Sequence, residues 1–360
     1  MKKTHTITKI ATLLFSLLLV VTLCFPTQVL AKAPALNRTT ATLYVGQTTT
    51  LKVSSNEAAT WSSSNQGVAT VTNKGVVRGK KAGTATIKAV TSSGTATCTV
   101  TVKKQGSSMI VVKNKPLSLG ESASSVVKKF GTPNRKGKSY YGTTTYIYNS
   151  SPSKILFVYM ASNKVVGYFT CSNDFNFQGA TVNTKKKSTI VNKNDCSVGY
   201  FCDDIGTGKV LGIRVTKDMT KNDYTAATLS NMEKEVFDLT NGLRALNNLP
   251  SLAWDKVAAK TAKEHSKDMA TKNYFDHYNL QGESPFDRMK DNGIKYSWAA
   301  ENIAAGQRDS VDVAYGWYQS SGHRKNMLNP NLTRLGVGIA YSEAASYHIY
   351  YTQNFYTPLN

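Results

Sequence analysis

The sequence predicts three consecutive domains: an all-β sandwich, a small α+β domain and a three-layer α/β/α domain. Three observations carry this. Residues 34 to 103 hold short apolar-polar alternations punctuated by glycine, and residues 109 to 222 are rich in lysine, tyrosine and serine with one short helical run among strand-like segments. Residues 228 to 360 begin with long helical periodicities and end in two strand-like runs. Periods of two and of about 3.6 residues mark strands and helices respectively. At 360 residues the chain is long enough for each domain to bury its own core.

Ahead of these domains, residues 1 to 31 carry a basic start (Lys2, Lys3, Lys9), an apolar stretch from Ala11 to Phe25 and small residues near Ala31. That pattern reads as a secretory signal peptide, cleaved after Ala31 or Ala33. Thr22, Cys24, Pro26 and Gln28 interrupt the run before it reaches membrane-spanning length. Val-Thr-Leu before Cys24 disfavours lipid modification there. Export places the remaining cysteines, Cys98, Cys171, Cys196 and Cys202, in an oxidising setting. Four cysteines allow three complete pairings, among which sequence does not choose. Cys98 shares an alternating face with Ala96, Val100 and Val102 and reads as a small buried hydrophobe. No CxxC metal spacing occurs.

The charge is unevenly distributed. The formal net charge is +22, and it stands at +19 once the three lysines of the first 31 residues are removed. Residues 228 to 360 hold 14 basic and 14 acidic side chains, while 32 to 227 hold 27 basic against 8 acidic. A lysine-rich front half on an exported protein suits a polyanion, such as an anionic cell-wall polymer or a membrane surface. Nucleic acid is not expected, because export removes the protein from most of it.

In the first domain, Leu43 and Val45, then Leu51 and Val53, then Trp61, Val68, Val71, Val76, Val77 and Ile87 continue the alternation, with turns at Gly46, Gly75, Gly79, Gly83 and Gly94. The segments Val45-Gly46-Gln47, Trp61-Ser62-Ser63-Ser64-Asn65, Val68-Ala69-Thr70-Val71 and Ala82-Gly83-Thr84-Ala85-Thr86-Ile87 resemble the bacterial immunoglobulin-like group 2 domain. The resemblance implies an Ig-like surface or adhesion module without catalytic residues. A linker, Lys103 to Ser108, follows.

The second domain opens with Leu117 and Leu119, then a short helix with inner face Val126, Val127 and Phe130, stopped by Gly131-Thr132-Pro133. Strands are expected at 145–148, 155–160, 164–169 and 210–215. The order of Leu117-Ser118-Leu119-Gly120, Lys128-Lys129-Phe130-Gly131-Thr132-Pro133 and Val165-Val166-Gly167 resembles the accessory domain that precedes the module described next.

In the third domain, Ser230 and Glu233 suggest a capping box before a helix carrying Met232, Val236, Leu239, Leu243 and Leu246. A second helix starts near Asp255, with Ala258, Ala262, His265 and Met269 on one face; His265 reads as a buried core histidine. Helix resumes around Phe286, and Glu301 stands at the start of a further helical run through Val311 to Tyr318. Strands are expected over 335–341 and 347–355. Asn241-x-x-Arg244, Tyr274-Phe275-Asp276-His277, Ser284 to Met289, Ala300-Glu301-Asn302-Ile303, Gly322-His323-Arg324 and Tyr351 to Phe355 resemble, in order, the bacterial CAP superfamily, also called SCP-like extracellular domains. The resemblance implies a CAP fold with a central cavity in which two histidines and two acidic residues hold a divalent cation.

By motif, His277, Glu301 and His323 match three of those four positions. The fourth lacks its acid, since Gln319 and Ser320 stand after Trp317-Tyr318. Imidazole and carboxylate suit zinc, while magnesium or calcium suffers more from the lost oxygen ligand. The same three residues are the catalytic candidates: a metal-assisted hydrolase of peptide or wall material would use Glu301 as general base. Ser321, two residues from His323, is poorly placed for attack, and His348 is expected to face outward. The preferred expectation is a secreted, wall-associated binding protein holding a cation, a lipid or another small hydrophobic ligand in its CAP cavity.

Overall fold

The computed structural model describes residues 33–359 apart from 56, 194, 218 and 220–222, so the signal segment expected at 1–31 lies outside the described residues. No described helix is long and apolar enough to cross a membrane.

The first domain is the predicted sandwich. Strands β1 (Thr40–Tyr44), β2 (Thr48–Thr50), β3 (Thr60–Ser63), β4 (Ala69–Val71), β5 (Val76–Gly79), β6 (Gly83–Thr91) and β7 (Gly94–Lys103) form two sheets. One has the order β1-β7-β6-β3 and the other β2-β5-β4. Period-two patterning decides which side chains meet: Ala85, Ile87 and Ala89 of β6 and Cys98, Val100 and Val102 of β7 point inward to one core. Gly75 adopts φ +72°, and a Cβ there would strike the Leu51 carbonyl and the Trp61 ring, so the turn before β5 requires glycine.

In the second domain, β8 (Ile110–Val112) and β9 (Lys115–Leu117) form a hairpin, and α1 (Ala123–Phe130) follows. Ser122 caps α1 by accepting from the Ser125 N–H, and Gly131 ends it at φ +83°. The remaining strands are β10 (Arg135–Lys138), β11 (Thr144–Tyr148), β12 (Leu156–Ala161), β13 (Lys164–Thr170), β14 (Thr189–Lys193), β15 (Cys196–Cys202) and β16 (Val210–Thr216). They make one antiparallel sheet in the order β10-β11-β12-β13-β16-β15-β14. The unbroken apolar run Leu156 to Met160 arises because this sheet is covered on both faces. Leu156, Val158 and Met160 face α1, whereas Phe157 and Tyr159 join a core shared with the third domain.

All four described cysteines are free and buried. Cys196 and Cys202 sit at opposite ends of β15. Six residues of strand separate them by roughly 20 Å, far beyond the Cα separation of about 7 Å that a disulfide tolerates.

The third domain has three layers. Its elements are α2 (Ala226–Leu246), β17 (Ala253–Trp254), α3 (Lys256–Lys272), α4 (Pro285–Asp291), β18 (Tyr296–Ala305), α5 (Ser310–Tyr318), α6 (Ser321–Met327), β19 (Arg334–Tyr341) and β20 (Ile349–Pro358). The sheet order is β17-β19-β20-β18. Leu335, Val337 and Ile339 face α2 within the shared core. Gly336 and Gly338 face the other way, and a methyl group at either would overlap the α3 backbone at Ala258 or Lys263. Their missing side chains let α3 lie directly on β19.

Two local expectations need correction. The α2 cap is Thr225, which accepts from the Thr228 N–H, because the helix begins a full turn before Ser230. A complete capping box occurs instead at Ser284 and Asp287 of α4. Glu301 lies on β18 and not in a helical run, and His323 lies on the short helix α6.

Candidate functional site

Glu301 is the organising residue. It projects from β18 opposite Asn354 of β20, and its side chain is 1% exposed. A buried carboxylate needs compensating donors, and three surround it. The His277 ring nitrogen Nδ1 lies 2.8 Å from Oε1. Arg288 of α4 donates through Nη2 to Oε2 at 2.8 Å. The Asn354 amide, in the orientation that satisfies its neighbours, donates to Oε2 at 3.0 Å. Both oxygens are thereby committed.

His277 comes from the loop between α3 and α4, and its side chain is 45% exposed. Two buried side chains fix that loop. Arg288 Nη1 donates to the carbonyls of His277 (2.8 Å) and Glu283 (2.9 Å). His265 of α3 meets the Asp276 carbonyl through Nε2 at 3.0 Å. His265 is the buried histidine expected from the sequence, and burial pushes its pKa down. With Nδ1–H donated to Glu301, the neutral His277 ring keeps its lone pair on Nε2, at the edge turned away from the carboxylate.

His323 enters from α6. Its backbone carbonyl accepts from Asn302 Nδ2 at 3.2 Å. Asn326, one turn further on, donates to the Glu301 carbonyl (3.1 Å) and to Asn302 Oδ1 (2.9 Å). Asn302 in turn donates to Gln353 Oε1 (3.1 Å), and Gln353 donates through Nε2 to Thr240 Oγ1 of α2 (2.9 Å). This buried polar chain ties α6 to β18 and β20. Burial lowers the pKa of His323, and the nearby His277 lowers it further, so the ring is neutral at neutral pH. Its Nδ1 is buried without a hydrogen-bond partner among the described residues.

The position without its expected acid faces the second domain. Gln319 Nε2 donates to the Cys202 carbonyl and, at 3.1 Å, to Asp204 Oδ2. Arg324, next to His323, donates to Asp203 Oδ1 at 2.6 Å and lies over the Tyr318 ring. A second-domain loop thus holds both Gln319, at the position where the resemblance implies an acid, and the arginine beside the site histidine. His348 is exposed, with Nδ1 3.0 Å from the Glu343 carbonyl, and takes no part in this cluster.

Sequence reasoning brought together His277, Glu301 and His323 but missed the roles of Arg288, Asn326 and Asn354. Arg288 lies inside the Ser284 to Met289 motif, where an arginine beside apolar Phe286 and Met289 on a short capped helix is the available signal of a buried cation. Among the described residues, no group of three or more His, Cys, Asp or Glu side chains is arranged to hold a metal ion. The donor set agrees with that: both Glu301 oxygens already accept from His277, Arg288 and Asn354, so the carboxylate serves the chain's own donors before it could serve a cation. Two imidazoles fit a nitrogen-preferring cation and do not fit magnesium or calcium, which need oxygen.

A three-layer α/β/α domain bearing a carboxylate-oriented histidine and a second histidine on a short helix defines the class. The sequence model of the cysteine-rich secretory protein family (CAP) matches residues 237–355. Those of the CAP-associated N-terminal domain and the bacterial Ig-like domain (group 2) match 119–194 and 32–113. The chain therefore carries a CAP domain, with a CAP-associated domain and a bacterial Ig-like domain in front of it. It is 46% identical over 141 residues to the uncharacterized protein YkwD of Bacillus subtilis (strain 168), a match covering 39% of this chain and 53% of that protein, about half its length. It is 29% identical over 289 residues to the uncharacterized membrane protein YlbC of the same strain, covering 66% of this chain and 82% of that protein. Among solved structures, an extracellular protein containing an SCP domain from Bacillus anthracis str. Ames matches with TM-score 0.59 and 28% identity, over 66% of this chain and 93% of that one. A cysteine-rich secretory protein from Staphylococcus aureus subsp. aureus Mu50 matches with TM-score 0.54 and 15% identity, over 66% and 91%, and shows the fold alone.

Proposed function

We propose that this is an exported, wall-associated binding protein whose CAP domain holds a zinc-like cation, or a ligand bearing one, at His277 and His323. The observation that carries this is the engagement of both Glu301 oxygens by donors of the chain, which makes it the group that orients His277 and leaves it no oxygen free of a protein donor to act as a base. A hydrolase with Glu301 as general base would need that oxygen. The unpartnered Nδ1 of His323 supports a site that is completed by something other than the chain. Phe275, Tyr278 and Leu280 flank His277 in sequence and are exposed, and Tyr347 packs on Phe275 at 5.9 Å between ring centroids. These rings suit an apolar portion of the ligand. The lysine-rich front half would anchor the protein on wall polyanion.

Calorimetric titration of the full chain tests the cation site. Zinc is expected to bind, with magnesium and calcium inert. His277→Ala and His323→Ala should each weaken zinc at least about tenfold. Binding should also fade as the pH falls below the ordinary imidazole range and His323, whose pKa burial holds down, takes up a proton. Zinc affinity unchanged by both substitutions, or no binding at neutral pH, would overturn the reading.

A further inference from the structure

We propose that the lysine-lined cleft between the Ig-like and middle domains binds a single strand of phosphodiester polymer; this rests on the wall-docking reading and gives it a site. Lys80 and Lys81 stand on the turn between β5 and β6, Lys104 follows β7, and Lys193 ends β14. The fold brings these four residues, distant in sequence, around one cleft of about 850 Å³, together with Val45 and Ala82.

No carboxylate lines the cleft. No ion pair among the described residues holds any of the four cleft lysines: the lysine pairs involve Lys129, Lys154, Lys260, Lys263 and Lys272. Lys193 instead donates to Gln178 Oε1 at 2.9 Å, and the neighbouring Asp195 is engaged by Ser107 at the rim, at 2.6 Å. Four like charges gathered in a concavity repel one another and raise the local potential, and a polyanion relieves that repulsion.

The cleft is also pre-formed. Its floor is Gln105, a residue of the expected linker that is 5% exposed. Gln105 Nε2 donates to the Val45 carbonyl of the first domain at 2.9 Å and to the Asn176 carbonyl of the second at 3.1 Å. Its Oε1 accepts from the Gln178 N–H. Asn114, at the tip of the β8–β9 hairpin, pairs with Thr48 of β2 in both directions, at 2.6 and 2.8 Å. The two domains are therefore clamped, and the lysines need no rearrangement to converge.

Three features select the ligand chemistry. No arginine lines the cleft, so its cations act as lysine point charges, the manner in which lysine meets phosphate oxygen, and not through the planar fork that grips carboxylate and phosphate alike. Lysine stems, Val45 and Ala82 supply apolar walls for the carbon linkers between phosphates. A concave site admits a strand but cannot bring all its lysines onto a flat bilayer.

The test uses the full chain and synthetic poly(glycerol phosphate) at low ionic strength, with affinity read by calorimetry. A Lys80→Gln, Lys81→Gln, Lys104→Gln, Lys193→Gln protein is compared with a Lys128→Gln, Lys164→Gln, Lys185→Gln, Lys187→Gln protein carrying the same change in net charge. The cleft variant should lose about tenfold or more and the control about twofold or less, since only the former removes direct phosphate contacts. If the cleft variant melts lower, the single substitutions Lys81→Gln and Lys104→Gln, at exposed positions, replace it and should each lose about twofold. Equal losses in both variants, tighter binding to phosphatidylglycerol vesicles, or tighter binding to a polycarboxylate would overturn the proposal. If the native chain binds no polymer, the docking reading fails with it; if the native chain binds and the cleft variants bind equally well, only the cleft fails.

Discussion

The Arg214→Ala protein is expected to melt roughly 6–20 °C below the native chain, from a loss of about 3–5 kcal/mol. Arg214 projects from β16 of the middle domain and is 7% exposed. It donates to Asp309 at 2.9 Å and pairs with Asp312 at 3.0 Å, both in the CAP domain. Asp309 also caps α5 through the Val311 and Asp312 N–H groups and accepts from Tyr141 at 2.6 Å. Removing the guanidinium leaves the buried Asp309 carboxylate without its cation and the half-buried Asp312 with Arg308 alone, which costs far more than a surface ion pair is worth. The same two domains share one apolar core, in which Phe157, Tyr159 and Phe169 meet Val236, Leu239 and Tyr315. Scanning calorimetry should therefore show middle and CAP domains melting in a single transition that moves as a unit. A shift under about 2 °C, or separate transitions for the two domains, would contradict this account.

Glu301→Gln should keep the fold and lose the cation. The amide carbonyl can still accept from Arg288, but the amide N–H₂ now faces His277 Nδ1, where a donor stood opposite an acceptor before. To satisfy the new donor, Nδ1 must become the acceptor, which moves the ring proton to Nε2 and removes the outward lone pair. Zinc affinity should drop about 10- to 100-fold, the range typical of a lost orienting partner. The loss appears in a zinc titration while circular dichroism stays native. Retained affinity would mean that Glu301 does not set the ring's proton.

Much of this architecture was legible in the sequence because its burial is regular. The alternation in β6 and β7 declares one inward face, and Leu156 to Met160, apolar without alternation, declares two. The β14–β15 hairpin was not legible, since Thr189 to Asn192 are all exposed, the adjacent apolar Ile190 and Val191 included, so no alternation marks an inner face; the segment takes its strand conformation from pairing with β15. His277, Glu301 and His323 stood out through their motifs, but their roles depend on partners far away in sequence. Nothing in the order of residues says that Arg288 and Asn354 would fill Glu301's second oxygen. Nor does it say that Asp203 would reach Arg324 across 121 residues. The cysteines show the same limit: Cys196 and Cys202 look close in sequence, yet an extended strand holds them apart.

The most direct measurement is the ring-nitrogen NMR spectrum of selectively labelled His277 at about pH 8.5, some two units above the ordinary imidazole pKa of about 6.5. The account predicts a single neutral tautomer protonated at Nδ1, with an unprotonated Nε2 that shifts when zinc is added. A ring protonated at Nε2, or an averaged mixture of the two tautomers, would contradict it.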